Sequence, residues 1–334
     1  MPQTLHVREL RTGLALTELG FGAAQLGNLF HETTDEVSTD AVATALDQGL
    51  RYFDTAPHYG LGLSERRLGA ALGAVPRESY ALSSKVGRLL VDTPETADRL
   101  DDDGFVVPAS TRRVWDFSRD GILRSIEASL TRLGTDRLDV AYLHDPDEHW
   151  EAASTTGIAA LIELREQGVV GGIGAGMNQS EMLTEFVRRC DVDVVMIAGR
   201  FTLLDQSALG DLLPLAAERG VSIVAAAVYN SGLLSSETLD PSAHFDYGTA
   251  PRSVVERAVR IGEVCARHDV TLPSAAIQYP LRHSAVVSVV TGMRTAAHVR
   301  STVQRYSAPV PESLWEELDA TGLAPDPSRP RQES

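Results

Sequence analysis

Gly20-Phe21-Gly22-Ala23-Ala24-Gln25 closes the first apolar run of the chain, Leu16–Phe21. A doubly wound open sheet carries its GxGxxG phosphate loop at that place, and this segment does not match it. Outward from it, short runs that are β-branched or apolar throughout recur along almost the whole length. They are Tyr52–Thr55, Tyr80–Lys85, Leu138–His144, Val169–Gly174, Val192–Ile197, Val221–Ala227 and Val286–Thr291. Such runs are expected of strands buried on both faces. Helical periodicity fills the intervals. Ile122, Leu123, Ile126, Leu130 and Leu133 share one face of Ser118–Leu133, and Ala159, Leu161, Ile162 and Leu164 precede the helix-stopping Gly168. Eight strands with intervening helices predict a single α/β domain, a (β/α)8 TIM barrel over residues 1–323. Residues 324–334 are rich in Pro, Ser and Arg and read as a disordered tail.

Of the 334 residues, 43% are hydrophobic and 23% charged, ordinary for a chain with a sizeable core. A formal net charge of −16 argues against nucleic acid, whose phosphates need a basic face. Two cysteines, Cys190 and Cys265, without CxxC spacing fit a reducing cytosol. No apolar run has the length of a signal peptide core or of a membrane span, so a cytoplasmic location is expected. Lys and Arg together number 30, and Lys85 is the single lysine among them. Arginine serves as well on a solvated surface; lysine differs where a compact ammonium must approach another group closely.

Two connections are too long for simple turns, 87–117 after the third strand and 229–251 after the seventh, both leaving the catalytic face of such a barrel. They carry Phe105, Trp115 and Phe117, and Tyr229, Phe245 and Tyr247. Any one of these rings could serve local packing as well as a ligand. Four polar residues also stand at or just after strand ends on that face: Asp54, Tyr59, Lys85 and His144. A tyrosine of ordinary pKa about 10 is a poor acid or base at neutral pH. An ammonium at ~4 Å offers roughly 4 kcal/mol at an effective dielectric near 20, about 3 pK units, which would bring tyrosinate within reach. An aspartate holds that ammonium, and a histidine orients a substrate oxygen. The set makes a proton relay for interconverting a carbonyl and an alcohol.

These residues lie in Phe53-Asp54-Thr55-Ala56-Pro57-His58-Tyr59-Gly60, Ser64-Glu65-Arg66-Arg67-Leu68-Gly69, Ser83-Ser84-Lys85 and Leu143-His144. The combination resembles the aldo-keto reductase family, from Gly20 to about Leu318. The resemblance implies a catalytic tetrad of Asp54, Tyr59, Lys85 and His144, with a nicotinamide dinucleotide across the barrel mouth. It implies cofactor contacts at Gly22, Asp54, Asn178, Ser231, Gly232, Leu234, Gly292, Met293, Arg294 and His298. Substrate would meet Tyr59, His144, Trp115 and Tyr229.

The chain departs from the family where a Gln often stands, at Ala198, and where a Tyr or Phe often stacks on the nicotinamide, at Ala226. Arg294 is the one clear cation for a 2′-phosphate, with His298 a weak second, which favours NAD while leaving NADP open. The acids of His144-Asp145-Pro146-Asp147-Glu148-His149 read as solvated or capping, with no metal expected. Gly171, Gly172, Gly174 and Gly176 read as a strand making room for side chains. Gly22–Asn28, His144–Asp147 and Ala227–Gly232 resemble the aldose 1-dehydrogenase branch, which includes L-fucose, D-threo-aldose and L-galactose dehydrogenases and the related pyridoxal 4-dehydrogenase. That implies oxidation of a sugar hemiacetal to a lactone with NAD, Tyr59 being the base. The alternatives are an NADPH-dependent aldehyde or ketone reductase and a cofactor-binding, redox-sensing auxiliary subunit. A small sugar or aldehyde is the expected partner, and the oligomeric state stays open.

Overall fold

Eight apolar runs pair in parallel, each with its neighbours in the chain, into one closed barrel. The strands are β1 (Leu19–Gly22), β2 (Tyr52–Asp54), β3 (Ala81–Val86), β4 (Leu138–His144), β5 (Val170–Met177), β6 (Val194–Ala198), β7 (Ser222–Ala226) and β8 (Val286–Gly292). A computed structural model describes residues 5–237, 244–245 and 248–328. The first expected run is divided. Ala15–Thr17 pairs antiparallel with Val7–Glu9, and β1 starts only at Leu19. Glu18 marks the break. Its carboxylate accepts from Arg8 Nε at 2.6 Å and from the Tyr306 hydroxyl at 2.6 Å. Leu10 and Leu16 of this N-terminal hairpin pack into the barrel interior with Val140, Val194 and Val224.

Side chains alternate along each strand, and that parity decides which residues reach the interior. Tyr52 packs inside and Phe53 outside against the helices, so Asp54 points inward. On β3, Ala81 is inside and Leu82 outside, which turns Ser83 and Lys85 inward and Ser84 outward. On β4, Tyr142 is inside and Leu143 outside, so His144 points inward. The register pairs Asp54 with Ser83, Lys85 with Tyr142 and His144 with Gly176. Three polar side chains therefore meet at the C-terminal mouth. The glycines of β5 divide: a Cβ on Gly174 would lie 1.6 Å from the Val194 carbonyl oxygen and one on Gly171 2.9 Å from the Asp139 oxygen, while Gly172 and Gly176 face the side chains of Leu10 and Met196, each at 3.5 Å.

Helix α1 (Asp35–Asp47) starts on Thr34, whose hydroxyl accepts from the Val37 amide, with Asp35 and Glu36 in its first turn. Helix α2 (Leu63–Leu72) follows the Tyr59 loop, and α3 (Arg119–Leu133) is capped by Ser118. The connection expected over 87–117 holds a hairpin of Arg88–Asp92 with Thr111–Trp115. In the connection expected over 229–251, His244–Phe245 pairs with Gly248–Thr249, and Tyr247 lies outside the described residues. Order continues past the expected tail boundary at 324. Ala324 is buried, the Pro325 carbonyl accepts from Tyr279 at 2.7 Å, and Asp326 pairs with Arg282 at 3.2 Å. Composition favours a loose tail, but these contacts tie it down as far as Ser328, and 329–334 lie outside the described residues.

Candidate active site

The mouth is organised around Lys85. Its ammonium lies 2.7 Å from Asp54 Oδ2 and donates to the Thr55 carbonyl at 3.0 Å. The two side chains are 3% and 4% exposed, so the pair is desolvated. Ser83 Oγ donates to the other carboxylate oxygen at 2.7 Å, and Tyr52 OH lies 3.0 Å from Ser83 Oγ and 3.2 Å from Tyr142 OH. A buried hydrogen-bonded layer thus fixes Asp54 from below. Outside the barrel, buried Glu65 accepts from Ser84 at 2.7 Å and from Arg132 at 2.6 Å, which anchors α2 to β3 and α3.

Tyr59 comes from the β2–α2 loop. That loop rests on the first loop through two glycines: a Cβ on Gly60 would lie 2.2 Å from the Gly27 oxygen, and Gly60 has φ +62°. Only glycine permits both the contact and the conformation without strain. The Tyr59 ring packs on Phe105 at 6.1 Å and on His144 at 6.1 Å between centroids, and Lys85 Nζ sits 4.7 Å from its centre. Phe105 is buried with Leu61 and Val107, and Phe117 lies in the main core, so both rings serve packing. Trp115 is 42% exposed at the mouth and stacks on His149 at 6.3 Å.

The electrostatics differ from expectation at Tyr59. Burial pushes its phenol above the ordinary value, and the Lys85 ammonium pulls it back only in part, since Asp54 opposes the pull. Lys85 itself is held above its usual value: burial disfavours the ammonium, but Asp54 and Tyr59 outweigh it. His144 is forced well below its ordinary value by burial and by Arg88 and Lys85, and it stays neutral. The adjacent His58 is pushed down to about 2 by burial, Arg113 and Arg88.

The expected cofactor positions lie along the ends of β5 to β8 and β1. Asn178 is half-buried, Ser231 and Gly232 are exposed, and Gly22 closes β1. Leu234 and Met293 are wholly buried in the main core, so only their backbone could face a ligand, and the Leu234 amide already donates to Tyr229 at 3.0 Å. Arg294 is spent on the first loop: it donates to the carbonyls of Leu29 and His31 at 2.6 and 2.7 Å and to Thr33 Oγ1 at 2.6 Å. His298 is exposed. Arg305, missed in the sequence, stands near the same end, donates to Ser235 at 3.0 Å and lies 5.8 Å over the Tyr229 ring.

Gln25 Oε1, Thr291 Oγ1, Tyr229 OH and Asn230 Oδ1 are buried without a hydrogen-bond partner. They sit just after β1, at the end of β8 and after β7. Unpaired buried polar atoms are rare, and a row of them at the mouth fits a polar, elongated ligand such as a dinucleotide. Gln25 and Asn230 each lie within a stretch that carries the family resemblance, and Thr291 ends the eighth apolar run, Val286–Thr291, as Asp54 and His144 stand at the ends of theirs.

Residues 18–322 match the aldo/keto reductase family. The chain is 46% identical to D-threo-aldose 1-dehydrogenase of a Pseudomonas species, over 94% of this chain and 97% of that protein. It is 36% identical to pyridoxal 4-dehydrogenase of Microbacterium luteolum, over 94% and 96%. Among solved structures, it is similar to the holo form of an aldo-keto reductase from Bacillus halodurans, with 26% identity, a TM-score of 0.74 and 96% coverage of both chains.

The Tyr59 environment makes a spectroscopic prediction. Absorbance titration of the protein, minus that of Tyr59→Phe, should place the Tyr59 tyrosinate transition above the ordinary phenol value of about 10. A transition near neutrality would mean that Lys85 outweighs burial.

Proposed function

The chain belongs to the aldo/keto reductase family, an oxidoreductase using a nicotinamide dinucleotide, and from that premise we propose that it is an aldose 1-dehydrogenase. One observation carries the chemistry: Asp54, Tyr59, Lys85 and neutral His144 stand together at the barrel mouth. The substrate class is supported by the 46% identity to D-threo-aldose 1-dehydrogenase.

When bound, the nicotinamide supplies the hydride acceptor. Tyr59 takes the proton of the anomeric hydroxyl, and the product of a ring hemiacetal is a lactone. Lys85 stabilises the tyrosinate that the base must be, and Asp54 keeps the lysine charged and in place. His144, neutral, offers a hydrogen bond to the reacting oxygen without adding a second positive charge beside Lys85. Trp115 flanks the substrate side, while Tyr229, with Arg305 over its ring, joins the groups on the dinucleotide side. Asn178, Ser231, Gly232, Gly292, Gln25, Asn230 and Thr291 would hold the dinucleotide, with Gly22 beneath it.

The sign of the pH dependence follows from Tyr59. A base is active when deprotonated, and its phenol is held high by burial. Turnover of aldose oxidation at saturating substrate should therefore rise with pH from neutrality into the alkaline range, and the reverse reduction should fall. A panel of aldoses with NAD and NADP, assayed over that range, checks both points. No aldose oxidised by either coenzyme would refute the reading.

For the coenzyme we propose NAD. A 2′-phosphate is nearly dianionic and needs committed cations. Arg294 and Arg305 are both engaged with protein acceptors, so recruiting either breaks existing bonds. Titration by intrinsic fluorescence should give NAD about tenfold tighter binding, or about 1.4 kcal/mol. Equal or tighter NADP binding would mean that one arginine exchanges its partners for phosphate.

A further inference from the structure

Asp145 is out of place for a residue that follows a strand. His144 points into the barrel, so continued alternation would turn residue 145 outward. Instead Asp145 adopts φ +39°, a left-handed conformation that a non-glycine residue holds at a cost. Its amide donates to the Gly176 carbonyl at 3.0 Å, which locks the bend. The carboxylate is thereby returned to the mouth, with Oδ2 at 3.6 Å from His144 Nε2.

Arg88 holds it there. Arg88 begins the hairpin after β3, and Gly87, φ +93°, turns the chain back over the mouth; a Cβ on Gly87 would lie 2.2 Å from the Phe117 ring. The guanidinium makes a close ion pair with Asp145 Oδ2, lies 3.4 Å from His58 Nδ1 and packs 5.1 Å from the centre of Trp115. Its Nε is buried with no partner. An arginine left with an orphaned buried N–H is placed for what it pairs with, not for its own satisfaction. Asp145 is one-third exposed, at 33%, and its Oδ1 accepts no hydrogen bond among the described residues.

A carboxylate fixed through Oδ2 therefore stands beside the histidine that holds the reacting oxygen, and its Oδ1 is left without a hydrogen bond among the described residues. We propose that Asp145 binds the substrate hydroxyl on the carbon next to the reacting one, C2 of an aldose, and that Arg88 is the positioning residue that aims it. This rests on the aldose reading above. A site built to accept a hydrogen bond from a substrate hydroxyl discriminates strongly against the analogue lacking it. A simple aldehyde offers nothing to this carboxylate, so the pair would separate hydroxylated from plain substrates.

The test is a cycle that deletes each side of the contact. The aldose that the wild-type enzyme oxidises best is compared with its 2-deoxy analogue, in the wild type and in Asp145→Ala, which removes the acceptor oxygens that Asp145→Asn would in part retain, with coenzyme binding measured on each to verify folding. The wild type should favour the aldose at least tenfold in kcat/KM, mainly through KM, and Asp145→Ala should bring the ratio close to one. Arg88→Lys, which keeps the charge, should give an intermediate ratio. A ratio unchanged in Asp145→Ala would overturn the inference and make Asp145 only a prop for His144. No preference in the wild type would overturn it too. A wild type that oxidises no aldose would instead refute the aldose reading, before any variant is made.

Discussion

The ion pair between Lys85 and Asp54 is the constraint from which the site follows. Two charges at 2.7 Å with almost no exposure are tolerable only if each remaining polar atom is satisfied. Ser83 and Thr55 supply those bonds, and Tyr52 and Tyr142 support Ser83 from the layer below. The interior of the barrel near its mouth is thus a hydrogen-bonded stack rather than an apolar plug, with the apolar filling lower down around Val140, Val194 and Val224. Removing one member of such a pair leaves an uncompensated buried charge and costs about 3–5 kcal/mol, so the same bonds serve stability as well as the chemistry proposed for the site.

The pair also contributes to the protonation of its surroundings. Burial keeps the neighbouring His144 neutral, and the charges of Arg88 and then of Lys85 add to the effect. The lysine also favours tyrosinate at Tyr59, but Asp54 cancels part of its field, and burial prevails. Simple charge–charge arithmetic at ~4 Å omits both the counter-ion and desolvation, which is why it overstates the pull on the phenol.

How much of this was legible in the sequence depends on the range of the interactions. The barrel was legible because buried parallel strands are short apolar runs, and all eight were found. The first run, Leu16–Phe21, is longer than its strand because Glu18 breaks it through Arg8 and Tyr306, partners that no local pattern reveals. The meeting of Asp54, Lys85 and His144 could be read from strand-end positions, since parity and register are local rules. The use of Arg294 could not. A lone cation in a plausible place looks like a phosphate ligand until the carbonyls of Leu29 and His31 are seen around it. Asp145 was hidden for a related reason: its left-handed turn reverses the alternation that predicts an outward side chain. The tail read as loose by composition because the residues that secure it, Tyr279 and Arg282, lie over 40 positions away.

The central claim is that a compact ammonium at position 85 is required, not merely a positive charge. Arginine keeps the charge, but its planar fork cannot occupy the space between Asp54 and Tyr59 in the same way. The most direct measurement is kcat for Lys85→Arg at saturating substrate and coenzyme, alongside coenzyme affinity. The account predicts a fall in kcat of at least about 100-fold, the lower bound for loss of general acid–base catalysis, with the coenzyme still bound. A variant turning over within about twofold of the wild type would contradict it.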